Sequence, residues 1–113
     1  ALPIYLNNIM LDDGHKAVRL LIFGRVQGVF FRDWTVNEAS SRNIDGWVRN
    51  RSDGTVETLL VGEQIQVDKM IERLHIGPPS AKVDHIEISK AMGITKHGFS
   101  QKPTVNLNER RGL

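Results

Sequence analysis

The chain contains no cysteine among its 113 residues. Disulfides, thiolate nucleophiles and thiolate metal sites are therefore excluded, and the absence is consistent with a cytoplasmic protein. Long hydrophobic runs are also missing. The apolar stretches extend only a few residues, far short of the ~20 needed to span a bilayer as a helix. The opening ALPIYLNNIMLDDGHK lacks a basic start and places Asp12 and Asp13 beside its apolar part, so neither a secretory leader nor a membrane partner is expected. A strong excess of one charge is absent too. Lys and Arg number 15 against 13 Asp and Glu, a formal net charge of +2, which is too small to call for nucleic acid by itself. His15, His75, His85 and His97 are scattered, with no close pair at metal-ligand spacing. A metal site needs three or four converging ligands, so no metal is expected.

What remains is ordinary globular composition, 40% hydrophobic and 25% charged, in a length that suits one core and not two. Residues 1–16 show no clear periodicity and read as an arm. Residues 17–105 carry the patterned domain, and 106–113, with Arg110 and Arg111, read as a solvated tail. Within the domain, AVRLLIF at 17–23 is a compact apolar run of strand length. A glycine-bearing loop at 24–31 leads into a predicted helix at 32–43, whose apolar signal is modest (Val36 and Ala39, with Trp34 and Thr35 nearby). Asn43 is suited to a left-handed helix end. Residues 44–50 and 55–61 read as strands joined through Ser52-Asp53-Gly54, a hairpin. Val67, Met70, Ile71 and Leu74 form one helical stripe in 63–76, which Gly77-Pro78-Pro79 stops. Residues 82–90 read as a strand with Ile86 and Ile88 on one face. Val83 is out of phase with them, which signals a bulge. A last strand within 98–105 is confined to a sheet edge, because Pro103 cannot donate to a ladder. The order implies an α+β, ferredoxin-like βαββαβ sandwich, with two helices on one face of a mainly antiparallel sheet and a short fifth edge strand. Such a fold specifies no activity.

Two segments carry chemistry. The first, Gly24-Arg25-Val26-Gln27-Gly28-Val29-Phe30-Phe31-Arg32, joins a strand to a helix. Convergent N–H groups at a helix start bind phosphate, Gly28 permits close backbone approach, and the planar fork of Arg32 grips two phosphate oxygens at once. By itself this segment reads first as an ordinary turn with a surface arginine, because glycine loops are common. The second segment ends a strand at Asn50 beside the hairpin turn. Its amide both donates and accepts, and so can orient a water without titrating. Alone, it reads first as a turn residue. Arg49 and Arg51 flank it and add a weak field for anions. Trp34 and Trp47 read as packing groups, with Trp47 placed where it could also wall a site.

Taken together, the two segments resemble the signatures of the acylphosphatase family. Gly24-x-Val26-Gln27-Gly28-Val29-x-Phe31-Arg32 is similar to the first signature. Gly46-Trp47-Val48-Arg49-Asn50, then Gly54-x-Val56, then Gly62, is similar to the second. Gly77-Pro78-Pro79 fits as well, and the likeness spans roughly residues 17–105. Two departures stand out: Asn43 replaces a frequent helix-ending glycine, and the last strand is unusually polar. The resemblance implies hydrolysis of the carboxyl-phosphate bond of a small acyl phosphate, without metal or cofactor. It implies phosphate binding by Arg32 and by the backbone amides of Gln27, Gly28, Val29, Phe30, Phe31 and Arg32, with Asn50 holding the attacking water. A cytoplasmic monomer that binds no nucleic acid is expected. Two other classes share the fold order: an RNA-recognition-like domain and a non-catalytic anion-binding domain. The first is disfavoured because Thr55 to Val61 has no aromatic on which to stack a base and the first strand has only Phe23. The second is disfavoured because both Arg32 and Asn50 are present.

Overall fold

A computed structural model of the chain describes residues 14–108. The elements are β1 (His15–Arg25), α1 (Phe31–Ser41), β2 (Asp45–Asn50), β3 (Val56–Glu63), α2 (Gln64–Ile76), β4 (Lys82–Lys90) and β5 (Phe99–Gln101). They form one five-stranded sheet in the order β4-β1-β3-β2-β5. The four longer strands pair antiparallel, and β5 pairs parallel to the outer edge of β2. This is the ferredoxin-like α+β arrangement, with the short fifth strand at an edge.

Alternation decides which face the helices cover. Val18, Leu20 and Ile22 of β1, Val48 of β2, and Val56 and Leu60 of β3 are all buried, together with Val67, Met70 and Leu74 of α2. The stripe expected on α2 is therefore the one it buries. On α1 the buried residues are Phe31, Thr35 and Ala39, four apart. Their signal is weak because the middle residue is polar. Thr35 is tolerated there because its hydroxyl donates to the Phe31 carbonyl at 2.8 Å, one turn back on the same helix. Asn43 takes φ 54 just beyond α1, a left-handed conformation that Asn adopts more readily than other non-glycine residues.

The bulge foreseen near Val83 lies in β4, where the pairing with β1 shifts between Phe23 and Gly24. Asp84 is the extra residue, and the shift lets both Val83 and Ile86 reach the core. Ile88 shares their side, but it is 49% exposed, since it lies on an outer strand. Two expected boundaries move. β1 begins at His15, so His15 and Lys16 pair with Glu63 and Gly62 and are strand, not arm. At the other end, Leu107 N–H donates to Ser52 Oγ at 2.8 Å, which ties the start of the expected tail to the hairpin. The arm at 1–13, and Arg110 and Arg111, lie outside the described residues. No described helix is long and apolar enough to cross a membrane.

Candidate active site

The link from β1 to α1 is pinned by core residues. Val26 and Phe31 are buried, and Val29 packs against the same core. Between these anchors Gly28 takes φ 72 and Phe30 takes φ 60. A Cβ at Gly28 would meet nothing within 4 Å, so glycine serves the backbone angle and leaves room above the loop. Phe30 occupies the left-handed region without that freedom, at a cost of order 1–3 kcal/mol. Its ring is 79% exposed.

This course leaves α1 without a side-chain N-cap. Among the described residues, none of the backbone N–H groups from Gln27 to Arg32 meets a protein acceptor. Unpaired donors at the positive end of a helix dipole attract an anion. Arg32 is the second residue of α1 and is half-buried. Among the described residues it has no ion-pair partner, whereas Arg49 pairs with Glu57 at 2.6 Å and Arg51 with Asp53 at 3.3 Å. Asp53 offsets Arg51, whereas Glu57 is shared with Arg19 at 2.5 Å and leaves that trio with one net positive charge.

Asn50 reaches the same place from β2. It shares the helix-covered side with Val48, two residues earlier, and stands opposite Val56 of β3. Being the last residue of its strand, it meets the N-terminus of α1 and not its flank. Its carbonyl accepts from Val105 N–H at 3.1 Å. Its side-chain Oδ1 is buried and has no partner among the described residues. A buried acceptor without a donor costs about 1–3 kcal/mol, so this oxygen is suited to accept from a molecule that enters the cavity.

A cavity of about 290 Å³ collects these groups. Gly28, Phe30, Phe31 and Arg32 line it from the loop and helix, and Asn50 lines it from the hairpin. Gln27 and Val29 are not on its wall: Val29 turns to the core, and the Gln27 side chain runs to the hairpin. Trp47 does not wall the cavity either. It lies on the helix-free side of the sheet, with Arg49 4.8 Å and Lys102 4.6 Å from its ring centroid. Sequence reasoning missed Asp33 and Gln101, which line the rim and are hydrogen-bonded to each other. Asp33 was visible as the neighbour of Arg32. Gln101 carried no signal, since only the parallel pairing of β5 with β2 brings it there. A wider depression of about 580 Å³, between Trp47 and residues 94–100, contains none of the anion-binding groups above. Among the described residues, no three His, Asp or Glu side chains are grouped to hold a metal ion.

The sequence matches the family model described as Acylphosphatase over residues 18–101. The chain belongs to the acylphosphatase family. It is 47% identical to an acylphosphatase of Rhizorhabdus wittichii, an alignment covering 79% of this chain and 90% of that one. Among solved structures it resembles an acylphosphatase from Coxiella burnetii at 30% identity and TM-score 0.75, covering 79% of this chain and 94% of the other. It also resembles acylphosphatase from Bacillus subtilis at 37% identity and TM-score 0.72, covering 76% and 97%. As an acylphosphatase the chain is a hydrolase acting on acid anhydrides, and its substrates are small acyl phosphates.

Proposed function

We propose that Arg32 and the loop amides of Gln27 to Arg32 hold the phosphoryl group of an acyl phosphate, and that the Asn50 carboxamide orients the attacking water. The observation that carries this reading is the shared cavity. It places a guanidinium without an ion-pair partner, a helix start with unpaired N–H groups and the partnerless Asn50 Oδ1 around one small volume.

The chemistry needs little more. Water oxygen forms a bond to phosphorus while the bond from phosphorus to the acyl oxygen breaks. The acyl oxygen leaves with the electron pair as a carboxylate. Because carboxyl groups have pKa values of ~4, the leaving group needs no proton. The water's proton passes to a phosphoryl oxygen of the substrate. Charge on the equatorial oxygens is what the protein must stabilise, and a cationic fork with fixed amides does so without reorganising. Asn50 contributes orientation, which lowers the entropic part of the barrier. The reading extends to a cytoplasmic monomer that binds no nucleic acid. The nucleic-acid part rests on the modest net charge and the cytoplasmic part on the absence of cysteine; sedimentation tests the monomer, and an RNA titration at moderate salt tests the nucleic-acid part.

The deciding assay is hydrolysis of acetyl phosphate and benzoyl phosphate, with a phosphomonoester as control. Arg32→Ala is expected to lose at least ~3 kcal/mol of transition-state stabilisation, on the scale of deleting a preorganised donor. Unchanged kcat/KM in a folded Arg32→Ala protein would reject the role given to this guanidinium.

A further inference from the structure

The Gln27 side chain takes no part in the cavity, yet it makes two of the best-placed hydrogen bonds near it. Its Nε2 donates to the Arg51 carbonyl at 2.9 Å and to the Thr55 carbonyl at 2.8 Å. Both acceptors are carbonyl oxygens, so the carboxamide must present its NH2 and not its oxygen, which settles its orientation. Each carbonyl already accepts a bond that closes the hairpin, from Gly54 N–H at 3.1 Å and Arg51 N–H at 2.9 Å respectively. Gln27 uses the second lone pair of each and leaves the hairpin intact.

Among the described residues, these are the only hydrogen bonds joining the 26–32 loop to residues 50–55. The Thr55 carbonyl that Gln27 grips also accepts from Arg51 N–H, and that N–H lies in the planar peptide joining Asn50 to Arg51, which moves as a unit. A shift of the Thr55 carbonyl therefore carries Asn50 with it. One residue thus belongs to the loop by its backbone and grips the hairpin by its side chain.

We propose that Gln27 is a positioning residue: its carboxamide sets the distance between the phosphate loop and Asn50, and hence the alignment of water with phosphorus. The inference rests on the functional reading above. It assigns to Gln27 a role that acts through Asn50 and not through phosphate affinity.

The test is a double-mutant cycle read in two quantities, kcat for acetyl phosphate and the inhibition constant of inorganic phosphate. Gln27→Met keeps the bulk and removes the donors. A misplacement of about 1 Å can cost on the order of 100-fold, so Gln27→Met is expected to lower kcat by ~10- to 100-fold while the phosphate constant changes by less than ~3-fold. In an Asn50→Ala background the same substitution is expected to have almost no further effect on kcat, because residues acting as a unit are not additive. A kcat equal to wild type overturns the inference. So does an equal loss in kcat and phosphate affinity, or a full loss that persists beside Asn50→Ala. If Gln27→Met fails to fold, Gln27→Glu decides. An ionised carboxylate facing two carbonyls is disfavoured, so its pKa is raised, and the neutral acid restores one donor. The ratio of Gln27→Glu to wild-type kcat is then expected to rise as pH falls through the carboxyl range, and a flat ratio overturns the proposal. Failure of the functional reading looks different: Asn50→Ala or Arg32→Ala would itself leave kcat unchanged.

Discussion

Asn50 illustrates what one side chain adds to an anion site that already has its charge. Truncating it to Ala removes neither the guanidinium nor the amides, so phosphate should still bind. The expected result is a fall in kcat with an inhibition constant for inorganic phosphate close to that of wild type. Loss of phosphate affinity at constant kcat would instead make Asn50 a ligand for the ground state. Asp53, three residues on, acts on stability. Its Oδ1 accepts from Thr55 Oγ1–H at 2.6 Å and from Thr55 N–H at 3.0 Å. Those two bonds first, and the Arg51 charge after them, hold its carboxyl below the ordinary 3.8. The lowered folded value means that the turn gains stability above the unfolded pKa, and that this gain disappears as pH falls through the folded one. The urea midpoints of wild type and Asp53→Asn should therefore converge as pH is lowered from 6 to 3. The difference is small, because solvent screens so exposed a group. A gap that widens on acidification would contradict the assignment.

At the level of elements, the site depends on β2 lying close against β3. Gly46 carries that contact. It takes φ 138, and a Cβ on it would sit 1.9 Å from the Leu59 carbonyl oxygen. Gly46→Ala combines a disfavoured backbone angle with a clash against main chain, and the expected loss is more than about 2 kcal/mol in urea unfolding. A normal midpoint would mean that β2 can shift without cost. The outer side of β2 is held by the segment after β5: Lys102 N–H donates to the Val48 carbonyl at 2.9 Å, and Val105 N–H to that of Asn50. The polar character of this last segment, puzzling in the sequence, follows from its place at an exposed edge that works through main-chain bonds.

Across the whole molecule, the two faces of the sheet are closed by different means. Helices cover one. On the other, Glu57 of β3 is buried with its side chain only 3% exposed, held by Arg19 of β1 at 2.5 Å and Arg49 of β2 at 2.6 Å. Removing both arginines strands a buried carboxylate. Arg19→Met with Arg49→Met is expected to cost about 3 kcal/mol, and adding Glu57→Leu should recover most of it. Equal stability of the double variant and wild type, measured by urea unfolding, would show that the carboxylate is not confined as described.

How much of this could be read beforehand depends on the range of the interactions involved. The α2 stripe, the hairpin turn, the bulge beside Val83 and the left-handed Asn43 follow from local period and turn chemistry, which neighbours in the chain dictate. The family, too, was legible in the spacing of Gly24 to Arg32 and Gly46 to Gly62. Three features come only from pairing across the sheet. Gln101 reaches the cavity rim through its parallel register with Val48, Glu57 is buried between arginines from two other strands, and the Gln27 carboxamide bridges residues 24 and 28 positions away. No local pattern encodes such contacts. They arise when burial of the apolar stripes brings distant segments together, and only then do the remaining polar groups find the partners that satisfy them.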